Sequence, residues 1–152
     1  MNNKNIILRK LKFDDAKFFF KENIENVRDS FFEFNTIEDA EEWIREALVK
    51  IKNKEKEEWI AEIDEKQVGS IGINYINNEP QVGMWVPKHL QNKKIGEVIL
   101  KKIISIIKER NYPKKLYYYT DNNNEPSNKL ALKCGFSLVT QEPKENKYLL
   151  KF

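Results

Sequence analysis

The sequence predicts a mixed α/β fold with one central, mostly antiparallel sheet, a strand–helix–strand unit and flanking helices. Three observations predict this class. Two helical patterns follow a first short strand, short polar turns join three alternating segments, and one amphipathic run lies between two later strands. The 152 residues match a domain of common size, so we expect 1–152 to form a single domain.

The first third of the chain predicts one strand and two helices. Residues 5–11 are apolar and β-branched, as in a short strand. Apolar residues recur at helical spacing over 13–27 and again, more clearly, over 36–54. Thr36 and Asp39 have the spacing of a capping box, so the second helix should begin there.

Alternating apolar and polar residues then predict three strands, over Glu58–Ile63, Val68–Ile76 and Gln81–Val86. The connecting turns are short, so the three strands should form an antiparallel meander. The charge run from Asn53 to Glu58 precedes them and predicts a solvated helix end.

The remaining pattern predicts helix, strand, helix and strand. The expected bounds are a helix ending near Arg110, a strand at Lys115–Asp121, a helix at Glu125–Cys134 and a strand at 146–152. Pro126 suits the first turn of its helix and Gly135 suits a C-terminal stop. A helix separates the strands at 81–86 and 115–121, so these two should be parallel and joined by a right-handed crossover.

Composition limits the possible partners and location. The 27 basic and 24 acidic residues give a net charge of +3 with the signs interleaved, which does not predict nucleic-acid binding. A local basic patch would still accept a small polyanion. Cys134 is the single cysteine, which excludes an internal disulfide and suits a reducing cytoplasm. No apolar run has the length of a membrane span, so we expect a cytoplasmic protein without a membrane partner.

The segment LQNKKIGEVILKK, Leu90–Lys102, leaves two interpretations open. Phosphate groups bind the unpaired N–H groups at a helix N-terminus, and Gly96 would let a phosphate approach the backbone. Lys93 and Lys94 would add positive charge. The same letters also fit the polar start of an ordinary surface helix.

Three patterns resemble the GNAT superfamily of acetyl-CoA-dependent N-acetyltransferases. QNKKIG, Gln91–Gly96, is similar to its Gln/Arg-x-x-Gly-x-Gly/Ala pyrophosphate loop, with Lys94 where the first glycine is usual. NEPSNKLALKCGF, Asn124–Phe136, resembles the Asn-x-x-Ser…Gly-Phe segment of the branch that acetylates protein N-termini, including ribosomal ones, and small amines. The strand–turn–strand at Trp59–Ile73 is also typical of the family.

The resemblance implies which residues would bind acetyl-CoA. The backbone of the strand before the loop would pair with the pantetheine arm, at Met84, Trp85 and Val86. Backbone amides of the loop and helix start would hold the pyrophosphate, at Gln91, Asn92, Lys93, Lys94, Ile95, Gly96 and Glu97. The strands at Trp85 and Tyr118 would have to splay apart, and no metal is implied. If position 94 needs a positive φ, Lys94 is strained by roughly 1 kcal/mol or more.

The resemblance also implies chemistry at the second motif. Asn124 matches the coenzyme-contacting asparagine, and Ser127 the group that protonates the departing thiolate. Other branches use a tyrosine for that step, but its position here is Ala131. The acceptor would be an amine, either a protein N-terminus or a small molecule, and the enzyme a monomer or homodimer.

The resemblance does not identify a general base. The branch often has a glutamate where this chain has Gln81. Either Glu79, Glu62 or Glu25 would then act through water, or bulk solvent would suffice for an acceptor amine of low pKa. Gln81 and Lys94 therefore keep open an alternative, a non-catalytic acyl-CoA sensor or interaction module on the same fold.

Several other residues carry two interpretations. The aromatic run Phe31–Phe34 either lines the acceptor pocket or belongs to the core. The strand at Tyr117–Thr120 either packs in the core or turns one tyrosine towards the acetyl slot. His89 is expected to be a surface residue rather than a base.

Overall fold

The computed structural model describes residues 5–25 and 34–152, without the side chains of 23–25. The strands are β1 (Ile7–Lys10), β2 (Lys56–Ile63), β3 (Lys66–Ile76), β4 (Glu79–Trp85), β5 (Lys115–Asp121), β6 (Ser137–Gln141) and β7 (Glu145–Lys151). The helices are α1 (Ala16–Glu25), α2 (Ile37–Lys52), α3 (Ile95–Arg110) and α4 (Glu125–Lys133).

The strands of the described chain form one sheet in the order β1-β2-β3-β4-β5-β7-β6. All neighbouring pairs are antiparallel except β4 and β5, which are parallel and are connected through α3. The predicted mixed, mostly antiparallel sheet with its strand–helix–strand unit is therefore confirmed.

Each face of the sheet carries its own apolar core. Helix α3 covers one face with Ile99, Leu100, Ile103 and Ile107, all fully buried, and α4 adds Ala131. The other face packs against α1 and α2 through the residues Phe18, Phe19, Ala40, Ile44 and Ala47. The sheet thus lies between two helical layers, called here the α3–α4 face and the α1–α2 face.

Local signals set several element ends as expected. Thr36 Oγ1 accepts a hydrogen bond from the Asp39 amide at 3.2 Å, and Asp39 Oδ2 accepts one from the Thr36 amide at 3.0 Å. This is the predicted capping box of α2. Gly135 has φ +94°, the left-handed conformation that favours glycine after a helix.

The sequence-based bounds are wrong in two places. Strand β6 was not predicted, because all five of its residues are exposed and therefore lack the alternation of a half-buried strand. The run before the meander is also not a solvated helix end. Strand β2 begins at Lys56, and Glu58 is buried, with its Oε2 3.5 Å from Lys56 Nζ of the same strand.

A buried carboxylate anchors the start of α1 to the sheet. Asp15 is fully buried, and its two oxygens accept bonds from Arg9 Nη2 at 2.6 Å and Nη1 at 3.0 Å. Gln67 Nε2 donates at 2.6 Å and the Lys12 amide at 2.8 Å. This carboxylate therefore joins three separate segments of the chain.

Removing that carboxylate should cost much of the stability. Asp15→Ala leaves the Arg9 guanidinium partly buried without this partner, and we expect a loss of about 3–5 kcal/mol in the free energy of unfolding. Urea denaturation would measure it. Glu42→Ala, which breaks the exposed Glu42–Arg45 pair, is the control and should cost less than about 0.5 kcal/mol. Equal losses in the two variants would contradict this role of Asp15.

Candidate active site

A cleft of about 600 Å³ opens on the α3–α4 face, between the ends of β4 and β5 and the start of α3. Its walls are the β4 residues Met84 and Trp85, the loop into α3, and the first turns of α4. Both motifs singled out in the sequence, at 91–96 and 124–136, contribute to this one cleft.

The cleft exists because β4 and β5 part. Their parallel ladder consists of only two pairs, Gln81 with Tyr117 and Val82 with Tyr118. Beyond Val82, β4 continues to Trp85 along β3 alone. The backbone of Met84 to Val86 therefore borders an open slot rather than a neighbouring strand, as the predicted splay requires.

The loop into α3 contains two left-handed residues. Asn92 and Lys94 both have φ +63°, although neither is glycine. Lys94 is the N-cap of α3 and its side chain makes no cap hydrogen bond. Position 94 therefore has the positive φ considered in the sequence analysis, and the backbone of Lys94 is strained by about 1–2 kcal/mol.

The start of α3 offers free backbone donors to the cleft. The first helical hydrogen bond runs from the Val98 amide to the Lys94 carbonyl, at 3.2 Å. The amides of Ile95, Gly96 and Glu97 therefore have no partner within the helix. These N–H groups and the helix dipole together favour an anion.

Gly96 keeps the cleft open at this end. A Cβ added there would point towards Met84 Cε at 3.3 Å and Leu130 Cδ2 at 3.8 Å, both cleft residues. Any larger side chain at position 96 would therefore enter the cleft.

Charged side chains surround the same end. Lys94, Lys129 and Lys133 line the cleft. Glu97 is held by Lys133 Nζ at 2.7 Å and by Lys101 Nζ at 3.0 Å, and the hydrogen bond from Lys133, then that from Lys101, lowers its pKa. The acid in this first turn is thus neutralised by two lysines, and the cleft keeps an excess of positive charge.

Asn124 and Ser127, both from the motif at 124–136, make different contacts at the start of α4. Asn124 caps α4, because its Oδ1 accepts a bond from the Ser127 amide at 3.2 Å, which leaves its amide nitrogen to donate elsewhere. The Ser127 and Tyr118 side chains both line the cleft. Burial raises the pKa of Tyr118, and the nearby Ser127 hydroxyl partly opposes that rise. Two hydroxyl groups therefore lie near each other in the wall of the cleft.

The structure brings together nearly all the residues expected to bind a coenzyme. Those in the cleft wall are Met84, Trp85, Val86, Gln91, Asn92, Lys94, Ile95, Gly96, Glu97, Asn124 and Ser127. Lys93 lies in the same loop but is not among the lining residues. Gln91 has a supporting role, since its Nε2 donates to the Val86 carbonyl at 3.1 Å and ties the loop to the end of β4.

Sequence reasoning missed part of the wall. The additional lining residues are Leu90, Tyr118, Pro126, Lys129, Leu130 and Lys133. Four of these lie on α4 at spacings of three or four residues, which place them on one face of the helix. This helical periodicity in the sequence could have identified the face of α4 that lines the cleft. The strand at Tyr117–Thr120 was expected either to pack in the core or to turn one tyrosine towards the slot. Tyr118 does both, since it belongs to the core of the α3–α4 face and lines the cleft.

The carboxylates considered as bases differ in their surroundings. Glu79 accepts bonds from Lys147 Nζ at 2.6 Å and Tyr119 Oη at 2.7 Å, and the Lys147 bond is the larger cause of its lowered pKa. Glu62 is ion-paired with Arg9 at 2.9 Å. The side chain of Glu25 lies outside the described residues.

The other residues considered from the sequence, Phe34, His89 and Cys134, do not line the cleft. Phe34 is buried in the α1–α2 core near Trp43, while Phe31, Phe32 and Glu33 lie outside the described residues. His89 is a largely exposed side chain, with its Nδ1 3.4 Å from Glu22 Oε2. Cys134 is a half-buried free thiol whose pKa is raised by burial, which disfavours the thiolate.

Comparison with known proteins identifies the class. The family model described as "Acetyltransferase (GNAT) domain" matches residues 5–137. The protein belongs to the GNAT acetyltransferase family and is an acyltransferase. No curated protein sequence matches the chain.

Solved structures share the fold at low sequence identity. One is the Salmonella typhimurium acetyltransferase that modifies the N-terminal serine of ribosomal protein L7/L12, with TM-score 0.83, 14% identity, and coverage of 97% of this chain and 95% of that chain. Another is the microcin C7 self-immunity acetyltransferase MccE in complex with acetyl-CoA and AMP, with TM-score 0.82, 21% identity, and coverage of 97% and 93%.

A third similar structure is a chimera of spermidine N-acetyltransferase SpeG from Vibrio cholerae and hSSAT, with TM-score 0.79, 16% identity, and coverage of 97% of this chain and 95% of that chain.

Within residues 5–25 and 34–152, no helix combines the length and apolar character needed to cross a bilayer. The described side chains also contain no group of three or more His, Cys, Asp or Glu arranged to hold a metal ion.

Proposed function

We propose that this protein transfers the acetyl group of acetyl-CoA to a primary amine by direct attack in a ternary complex. The observation that carries the proposal is the cleft between the splayed strands β4 and β5, which ends at the free amides of α3. Such a cleft suits a long cosubstrate that has an anionic end and a reactive end.

The anionic end fits the start of α3. The amides of Ile95, Gly96 and Glu97 would donate to the coenzyme pyrophosphate, and Gly96 leaves room for it. Lys94 adds a cation next to these donors. The donor set is therefore that of a phosphate site, and MccE, which shares the fold, is a structure with acetyl-CoA bound.

The pantetheine arm would run along the free edge of β4. The backbone of Met84 to Val86 borders the slot and would pair with the arm as an added strand would. The thioester then lies where β4 and β5 diverge, near Tyr118 and Ser127. A backbone N–H of β4 near Val86 would stabilise the oxyanion that forms during attack.

The chemistry needs a neutral amine and a protonated leaving group. The amine nitrogen attacks the thioester carbonyl, the C–N bond forms, and the C–S bond breaks as coenzyme A departs. Ser127 donates a proton to the departing thiolate, and the nearby Tyr118 hydroxyl can replace that proton. Holding amine and thioester together in the slot provides much of the acceleration.

The proposed acceptor is a protein or peptide N-terminus or a small-molecule amine. Enzymes of the same fold modify the N-terminal serine of a ribosomal protein in one case and spermidine in another. Purified protein should be screened for amine-dependent release of free thiol from acetyl-CoA with peptide N-termini, polyamines and aminoglycosides. Release with at least one class supports the proposal. Binding of acetyl-CoA without release with any amine would instead favour a sensor.

Lys94 provides a test of the phosphate site. We expect Lys94→Gly to weaken acetyl-CoA binding about 5- to 10-fold at low salt, because one charge-assisted contact is lost. The difference should shrink as salt is added. Stability should not fall, because glycine adopts the left-handed conformation without strain.

Asn111→Gly is the matched control for that variant, since it relaxes a left-handed residue at the other end of α3, outside the cleft, without removing a charge. It should bind acetyl-CoA as the wild type does. Isothermal titration at two salt concentrations measures both variants. Wild-type affinity of Lys94→Gly at low salt would show that this ammonium does not reach the phosphates.

A further inference from the structure

The amine must reach the slot from the face that the coenzyme does not fill. The cleft for acetyl-CoA lies on the α3–α4 face, and beside it the pairing of β4 with β5 stops at Val82, so the sheet has a gap through which the α1–α2 face borders the same slot. Residues of β4 alternate between the two faces, so Gly83 and Trp85 belong to the α1–α2 face while Met84 belongs to the other.

One glutamate and two glycines form a row across three neighbouring strands on the α1–α2 face. Glu58 on β2 pairs with Gly72 on β3, which pairs with Gly83 on β4. A Cβ built on Gly72 would lie 1.7 Å from Glu58 Oε2, so the carboxylate rests directly over this glycine. Only glycine at position 72 permits that arrangement.

Few described atoms lie above Gly83. Among the residues that the structure describes, only Asn74 Nδ2 lies within 4 Å of a Cβ built there, at 3.6 Å. Gly83 is one strand spacing, about 4.8 Å, from Gly72 and the carboxylate above it. It also follows Val82, the last residue of β4 that pairs with β5. An amine above Gly83 would therefore lie beside both the slot and the Glu58 carboxylate.

Glu58 is held in a nearly dry environment. It is 7% exposed, and its Oε2 lies 3.5 Å from Lys56 Nζ. Lys56 also donates to Asn74 Oδ1 at 3.1 Å and lies over the Trp43 ring at 5.2 Å. Burial raises the pKa of Glu58 to about 7, against the opposing effect of Lys56.

Other charged groups border the cavity that Glu58 shares with the end of α2. They are Lys10, Lys54, Glu57 and Arg110, with the apolar Leu48 and Ile51 on α2 itself. Arg110 is bonded to Glu57 through two contacts of 2.7 Å, so that pair neutralises itself. Lys56 is therefore the cation that acts most directly on Glu58.

We propose that Glu58 binds the ammonium form of the acceptor above Gly83 and takes its proton, directly or through one water. This inference rests on the proposed acetyltransferase function. The ammonium gives one proton to the carboxylate, and the neutral amine then attacks the thioester. After attack the nitrogen loses a second proton as the thiolate gains one, and Glu58 later releases its proton to solvent. The overall reaction thus releases one proton.

The pH dependence of kcat/KM with a primary alkylamine tests this role. In the wild type the rate should rise with pH through a group of pKa about 7 and then level off, because Glu58 must be ionised. In Glu58→Gln the rate should fall about 100-fold at neutral pH. It should keep rising towards the pKa of the free amine, about 10, because only amine that is already neutral can react.

Two further variants separate a chemical role from a structural one. Lys56→Met removes the cation that lowers the pKa of Glu58, so the rise of the wild-type profile should move to higher pH. Glu55→Gln is the control, since this exposed carboxylate lies just before β2 and does not line the cavity that Glu58 borders. Its profile should match that of the wild type. Acetyl-CoA affinity should be unchanged in all three variants.

The outcomes distinguish this inference from the proposed function. An active wild type whose pH profile is unchanged in Glu58→Gln, or unmoved in Lys56→Met, would overturn the role of Glu58 and leave the acetyltransferase function standing. A wild type that releases no thiol with any amine would remove the proposed function, and the role of Glu58 with it.

Discussion

Replacing Gly96 with glutamate is expected to abolish acetyl-CoA binding and leave the fold intact. The Cβ of position 96 points into the cleft, towards Met84 and Leu130. A glutamate there would fill the phosphate end and place a negative charge beside the pyrophosphate, where like charges cost several kcal/mol. We therefore expect affinity to fall by at least about 100-fold.

The control for this variant is Gly96→Ala. An alanine Cβ requires Met84 Cε, the end of a flexible side chain, to move by only a few tenths of an ångström from its 3.3 Å separation. Affinity should stay within a few-fold of the wild type. Isothermal titration measures binding, and circular dichroism with thermal unfolding tests the fold. Unchanged affinity of folded Gly96→Glu would refute the placement of the phosphates at α3.

Removing the Ser127 hydroxyl should slow turnover without weakening coenzyme binding. Ser127 lines the cleft, and in the proposed reaction its hydroxyl protonates the departing thiolate. A positioned general acid contributes about 100-fold or more, and we expect Ser127→Ala to lower kcat by about that factor. The coenzyme still has its phosphate donors and the edge of β4, so its dissociation constant should change little.

Two further variants serve as comparisons for Ser127→Ala. Tyr118→Phe removes the neighbouring hydroxyl but leaves Ser127 in place, so kcat should fall by a smaller factor. Ser137→Ala changes an exposed serine of β6 and should have no effect. Wild-type turnover in Ser127→Ala would remove this serine from the chemistry. An equal loss in Ser137→Ala would show that the assay reports stability instead.

Features that depend on nearby residues could be predicted from the sequence. The capping box of α2 involves Thr36 and Asp39, three positions apart, and the stop at Gly135 involves one residue. The two cleft motifs were also found, because each is a local pattern within a recognisable order of elements. A left-handed conformation at Lys94 was considered only because the family usually has glycine at that position.

Features that depend on the register between neighbouring strands could not be predicted. Glu58 stands in a charge run that predicts solvent exposure, yet it is buried because Gly72 on β3 leaves room for its carboxylate. Strand register creates that contact, and no pattern within β2 indicates it. Strand β6 was missed for a related reason, since an edge strand exposed on both faces has no apolar side to reveal it.

The most direct test of the central claim follows both products in one single-turnover experiment. Excess enzyme would be mixed with acetyl-CoA and an amine from the responsive class, and free thiol and acetylated amine would be measured together. We predict that the two products appear at the same rate and in equal amounts, and that no thiol appears without the amine. Thiol release without amine, or release without acetylated product, would contradict direct transfer to an amine at this cleft.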